Sequence, residues 1–251
     1  MKYPMLIHLP HSSLSIPPDV REDILLGEEE LKLEMLKLTD HYTDELYSIP
    51  NVESHRNEFS RIVFDPERFR NDEDEVMAKE GMGVIYTHTV DGRRMRSLSE
   101  SKREELVQRF YDPYHLSLEA KVQKLLDLSG KCLLIDGHSF PRIPLPFEID
   151  KDPSRPDICI GTSEYHTPSE LSGFIEEYIK QKGLTVKFNS PFAGTMVPMK
   201  YYRKDRRVSS IMIEINRKLY MNEDTGEKSR RFKTVQAMMQ GLLRQVLINF
   251  L

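Results

Sequence analysis

The chain predicts an α/β fold: a single three-layer domain over residues 1–251, with a mostly parallel, mixed central sheet covered by helices. Short apolar runs alternate with longer amphipathic stretches, the pattern of strand–helix units. Several runs are continuously apolar, as expected of strands covered on both faces. No linker, internal repeat or low-complexity tract divides the chain.

Strand-like segments fall at 5–9, 61–64, 83–87, 131–135, 157–160, 184–188 and 208–215. Helical patterns cover 27–47, 97–128, 168–181 and 228–250. Ser97 and Glu100 have the spacing of a capping box, and Gly130 is a natural stop beyond Leu128. Pro113 predicts a kink or division of the long helix, because its ring removes a backbone donor and clashes one turn back. Polar stretches at 70–81 and 140–156 interrupt the scheme, the second stiffened by Pro141, Pro144, Pro146, Pro153 and Pro156. Such excursions beside a strand end make walls or lids for a pocket; plain surface loops are the simpler reading.

Composition narrows the function classes. A net charge of −4 arises from 36 basic and 40 acidic side chains in mixed order, so no long-range field attracts nucleic acid or an anionic membrane. The run at 5–9 is too short for a signal-peptide core or a membrane span, and the chain reads as cytoplasmic with no membrane partner. Cys132 and Cys159 lie in apolar runs and read as buried, reduced thiols.

The apolar run 131–135 breaks off into Asp136-Gly137-His138-Ser139, placing ionisable groups at the carboxyl edge of a sheet, where α/β proteins put their ligands. The first run ends similarly in Leu9-Pro10-His11-Ser12. Two histidines from different strands can converge on one ion, and a catalytic zinc site takes three protein ligands, so a carboxylate is sought. Asp40 and Asp44, four apart on a predicted helix, stack on one face; a solvated acidic face is the plainer reading. Glu214 sits inside the apolar run 208–215, where a charge is costly unless paired, bonded or metal-linked. Alternation offers the bland alternative that it faces outward. Asn216, Arg217 and Tyr220 supply donors just beyond. Arg61 and Arg68 flank Asp65, and their forks suit a substrate carboxylate or simply pin a turn. GxGxxG and Walker loops, a GxSxG elbow and HExxH are all absent, so any metal site is assembled from distant segments.

Taken in order, Pro10-His11-Ser12, Thr39-Asp40 with Asp44-Glu45-Leu46, Arg61 to Asp65 with Arg68, and Pro113-Tyr114-His115 resemble motifs of the N-formylglutamate amidohydrolases. Asp136-Gly137-His138-Ser139, Asp157 with Gly161-Thr162, and Glu214 with Tyr220-Met221 continue the series, so the resemblance runs from about residue 5 to 223. It implies a zinc-exopeptidase-like fold and metal-dependent cleavage of the amide of an N-acylated, in particular N-formyl, acidic amino acid such as N-formylglutamate. By resemblance His11 and His138 are ligands of one Zn²⁺ ion, with Asp40 or Asp44 completing the set and Asp40 preferred. Glu214 is the implied general base and acid, and His115 a second catalytic candidate. Arg61, Arg68, Asn216 and Arg217 are candidates for contacting the small-molecule substrate, and Asp136, Asp44 and Asp65 for orienting the ligands.

One departure is notable. Where the family reads Val-Val-Asp-Leu-Asn-Arg, this chain has Val63-Phe64-Asp65-Pro66-Glu67-Arg68, exchanging an asparagine for an acid. If that side chain points inward, it weakens binding of a dianionic substrate. The alternatives to an N-acyl amino acid hydrolase are a zinc peptidase or amidase acting on a peptide or cell-wall fragment, and a ligand-binding protein that keeps the fold without catalysis.

Overall fold

A computed structural model describes residues 3–251. Its strands are β1 (Met5–Leu9), β2 (Glu53–Arg56), β3 (Cys132–Phe140), β4 (Ile158–Gly161), β5 (Val186–Phe188) and β6 (Val208–Asn216). They form one six-stranded sheet in the order β2-β1-β3-β6-β4-β5, parallel throughout except where β4 runs antiparallel to β6. The helices are α1 (Pro18–Glu22), α2 (Glu28–Leu38), α3 (Thr43–Leu46), α4 (Glu100–Leu106), α5 (Asp112–Ser129), α6 (Ser169–Gln181) and α7 (Phe232–Phe250). The predicted α/β architecture, a mixed sheet between helical layers, is the one observed. None of these helices is long and apolar enough to cross a membrane.

Alternation along the central strands builds the layers. Met5, Ile7, Leu133, Ile135, Ile211 and Ile213 point to one face and pack with Ile175 of α6 and Leu243 of α7. Leu6, Cys132, Leu134 and Val208 point to the other, against Leu118, Val122 and Leu125 of α5. Both faces of β3 and β6 are thus closed to water, which is why these strands read as continuous apolar runs.

Several elements differ from the sequence-based expectation. β3 does not stop at Asp136; it pairs with β6 as far as Phe140 opposite Asn216, so Asp136 and His138 stand within the strand. The segments at 61–64 and 83–87 are irregular. Their apolar side chains fill two clusters outside the sheet, and the buried Arg96 guanidinium donates to the carbonyls of Tyr86 and Ile62 in place of a ladder. β2 and α1 escape sequence reading because they are short and carry little apolar pattern. The helix predicted over 27–47 breaks after Leu38, and Tyr42 adopts a left-handed conformation (φ 65°). Pro113 does not divide its helix. Residues 107–111 instead widen into a π-helical turn just before it, which accommodates the missing donor and the ring. The helix is capped by Ser99 rather than Ser97, its Oγ accepting from Lys102 N at 3.2 Å. Gly130 closes α5 in the left-handed region (φ 70°).

One side chain ties the sheet to its helical cover beside the ionisable residues. Tyr47, fully buried, donates between the carbonyls of Ile213 (2.5 Å) and His138 (3.2 Å). Its ring lies over Gly137, where a Cβ would come within 3.0 Å of Tyr47 Cδ2. Tyr47→Phe keeps the ring and removes the hydroxyl; it should lower stability by about 1–2 kcal/mol, read from the urea midpoint at unchanged slope.

Candidate metal and active centre

The face of the sheet that packs on α5 changes character along its strands. Beyond Leu6, Leu134 and Val208 the same alternation presents His8, Asp136, His138 and Glu214. Register sets them in pairs, His8 opposite Asp136 and His138 opposite Glu214. His11 joins from beyond the end of β1. The break between α2 and α3 supplies Asp40, whose backbone N–H donates to the His11 carbonyl at 3.0 Å.

His11, Asp40 and His138 are buried, and each offers one ligand atom, all within 4.8 Å of one another. The other atom of each is tied to the frame. His11 Nε2 lies 2.8 Å from Asp65 Oδ1, Asp40 Oδ1 accepts from Arg217 Nη2 at 3.0 Å, and His138 Nε2 lies 3.0 Å from Asp136 Oδ1. The remaining atoms turn inward: Asp40 Oδ2 is 3.0 Å from His138 Nδ1 and 3.6 Å from His11 Nδ1. His11 Nδ1 is buried without a hydrogen-bond partner. Two imidazole nitrogens and one carboxylate oxygen, with both imidazoles oriented by a carboxylate, are a donor set that fits zinc.

The electrostatics favour a cation at this point. Burial opposes a charged His138, yet the carboxylates of Glu67 and Asp136 reverse the effect and raise its pKa well above the usual range. Burial likewise opposes ionisation of Asp40, and the His11 and His138 imidazoles override it, holding the carboxyl well below its ordinary value. Asp65 behaves the same way beside Arg61 and His11. Glu214 runs the other way. Burial pushes it up to about 8, with Asp40, Glu67 and Asp136 adding to the shift and His138 opposing it. Its Oε2 is buried and unpartnered. Glu214 is therefore not an outward-facing strand residue.

The other predicted residues divide sharply. Asp65 lies against His11 and Asp136 against His138, and Asp136 also takes His8 Nδ1 (2.7 Å) and the N–H of Met196 (2.8 Å). Asp44 is a correction: beyond the helix break it is partly exposed and pairs with Arg56 at 3.0 Å, away from the cluster. Arg217, expected on substrate, is instead consumed by Asp40, Ser139 and the Lys37 carbonyl. Asn216 is fully buried and spends its amide on Pro156 O and Lys218 N. Arg61 donates to Asp65 (2.6 Å), Tyr86 Oη and Leu38 O, leaving Arg68 as the less committed guanidinium. His115, expected in catalysis, lies against the Pro66 carbonyl (2.9 Å), and burial lowers its pKa to about 4.

Sequence reasoning passed over His8, and it named Tyr114 in a motif without giving it a role. Tyr114 Oη donates to His8 Nε2 at 2.7 Å, extending the chain of hydrogen bonds behind Asp136. The available signal for His8 was its phase: in strand 5–9 it falls on the same face as Leu6, so pairing that strand beside 131–136 brings it against Asp136. Glu67 was noticed as a departure, and its carboxylate does point inward, 3.2 Å from His138 Nε2.

Comparison with known proteins gives the family and the fold. The family model for N-formylglutamate amidohydrolase matches residues 3–221. An N-formylglutamate deformylase of Pseudomonas putida is 25% identical over 235 residues, covering 88% of this chain and 83% of that protein. The crystal structure of an N-formylglutamate amidohydrolase from Ralstonia eutropha superposes with a TM-score of 0.83 at 23% identity, covering 98% of this chain and 94% of the other. A protein of Agrobacterium tumefaciens shares the fold with a TM-score of 0.63 at 18% identity, over 98% and 92% of the two chains. With the family pattern spanning most of its length, this chain belongs to the N-formylglutamate amidohydrolase family.

Proposed function

We propose that the protein is a zinc-dependent amidohydrolase that cleaves the linear amide of an N-acylated amino acid. The observation that carries this reading is the inward-facing donor set of His11, Asp40 and His138, with Glu214 beside it in register on the same sheet face. The names of the relatives, N-formylglutamate deformylase and amidohydrolase, support a formyl group as the acyl part. Zinc held by the three donors supplies Lewis acidity for the scissile carbonyl and lowers the pKa of water.

The remaining work falls to the chain. In its ionised form Glu214, whose Oε2 has no hydrogen-bond partner, takes a proton from the attacking water and returns it to the departing nitrogen. Asp65 and Asp136 keep each imidazole presenting its inner nitrogen, and Arg217 fixes Asp40 through its outer oxygen. Arg68, less committed than Arg61, anchors the main-chain carboxylate of the substrate.

Metal analysis and kinetics separate these roles. His138→Ala should lose both zinc and turnover, whereas Glu214→Gln should retain zinc and lose turnover by about 10² or more. Stripping the metal with a chelator should abolish activity and zinc should restore it; full activity without metal refutes the mechanism.

Glu214 also imposes a pH dependence on stability. Its carboxyl titrates near 4.5 when unfolded and near 8 when folded, so between those values the folded chain retains a proton that the unfolded chain releases. The stability it contributes is complete below 4.5 and is lost as pH rises through 8. With zinc removed, wild type should lose at least about 1 kcal/mol more than Glu214→Gln between pH 5 and 8 in urea unfolding. Identical pH slopes would count against a proton held at Glu214.

A further inference from the structure

The segment 61–68 forms one wall of the centre, with two arginines and two carboxylates whose partners are unequal. Asp65 is fully buried between the two guanidiniums, 2.6 Å from Arg61 and 3.7 Å from Arg68, so its single charge offsets only one of them. Glu67 and Arg68 form the open pair: each side chain is 19% exposed, against 3% for His11 and Asp40, 4% for His138 and 1% for Asp136. Of the charged side chains on this wall, Glu67 and Arg68 are the most open to solvent, ahead of Arg61 at 14%. The Glu67 carboxylate lies 3.2 Å from His138 Nε2, 3.8 Å from His8 Nδ1 and 3.9 Å from His11 Nδ1, and among the described residues it forms no ion pair with lysine or arginine.

This wall offers a substrate one cation and one anion. A single carboxylate is matched by Arg68, whereas a second on the same molecule is set toward Glu67, and like charges brought together in a partly dry cleft are strongly disfavoured. We propose that Glu67 is a specificity-determining residue that selects N-acyl amino acids with a neutral or cationic side chain over those bearing a side-chain carboxylate. The choice of N-acyl amino acids rests on the hydrolase reading above; the charge preference rests on the wall alone.

The test compares N-formyl-L-glutamate, N-formyl-L-glutamine and N-formyl-L-lysine. kcat/KM is measured on zinc-loaded wild type and Glu67→Gln, and calorimetric affinity on Glu214→Gln with and without the second substitution. Wild type should favour the glutamine and lysine compounds over glutamate by about tenfold or more. Glu67→Gln, an isosteric change, should raise the glutamate-to-glutamine ratio of kcat/KM about tenfold, lower the lysine-to-glutamine ratio and keep its zinc. A wild-type preference for glutamate, or an order indifferent to Glu67→Gln, overturns the proposal. So does loss of zinc from Glu67→Gln where wild type retains it, since Glu67 is then a metal ligand. If nothing is hydrolysed but the calorimetric order shifts as stated, the hydrolase reading fails and charge selection stands; if nothing is hydrolysed or bound, both fall.

Discussion

His138 stands opposite Glu214 in the parallel ladder of β3 and β6, and His8 stands opposite Asp136 between β1 and β3. This register turns one face of a closed sheet from hydrocarbon to ionisable groups within the length of a strand. Taking such groups out of water is costly unless each finds a partner. Much of the surrounding structure answers that cost: Arg61, Arg217, Tyr86, Tyr114 and the Met196 N–H all point at the buried carboxylates or imidazoles. Within this cluster His11 Nδ1 and Glu214 Oε2 are left without hydrogen-bond partners, as are eight other buried side-chain atoms among the described residues. What sets these two apart is their place, His11 among the three candidate ligands and Glu214 opposite His138 in register.

The three candidate ligands share one constructional rule. Each binds the protein frame through its outer atom and presents its inner atom to a common point, through Asp65 for His11, Arg217 for Asp40 and Asp136 for His138. An imidazole held in this way cannot rotate its ring away, and a carboxylate with one oxygen taken offers the other. The rule also explains why most of the arginines first assigned to substrate are unavailable. Arg61 and Arg217 are counter-ions of the frame, and moving either to a ligand would expose a buried carboxylate.

The strands around the centre were legible because they are covered on both faces and so read as apolar runs. The same property misled at 61–64 and 83–87, where buried apolar residues pack as irregular chain and Arg96 satisfies their carbonyls. A run of four or five apolar residues does not distinguish these cases. His11, His138 and Glu214 could be named from strand-end position, burial and order along the chain. The choice of Asp40 over Asp44 rested on resemblance and not on spacing: in the structure it goes with a helix break at which Asp40 N contacts His11 O, residues far apart in sequence. The arginine roles were hidden for the same reason. A guanidinium suits a substrate carboxylate and an aspartate equally well, and only folding decides which lies nearer.

Glu67 is held in place more firmly than its partial exposure suggests. Its own N–H donates to Asp65 Oδ1, Asp65 N–H donates to Val84 O, Arg68 Nε donates to Met82 O, and Tyr111 Oη donates to Arg68 O. His115 closes the segment against Pro66 O. Tyr111, Tyr114 and His115 are spaced by three and four residues and so share a helical face. That face follows the π-helical turn at 107–111, and a π turn carries one residue more than an α turn, rotating all that follows by about 100°. Leu106, Val107 and Phe110 pack in the apolar cluster with Val63 and Phe64, and Tyr114 joins it through its ring while its hydroxyl reaches His8. Pro113, expected from sequence to interrupt the helix, instead accompanies the shift that lets one helix pack a core on one turn and brace the wall of the centre on the next.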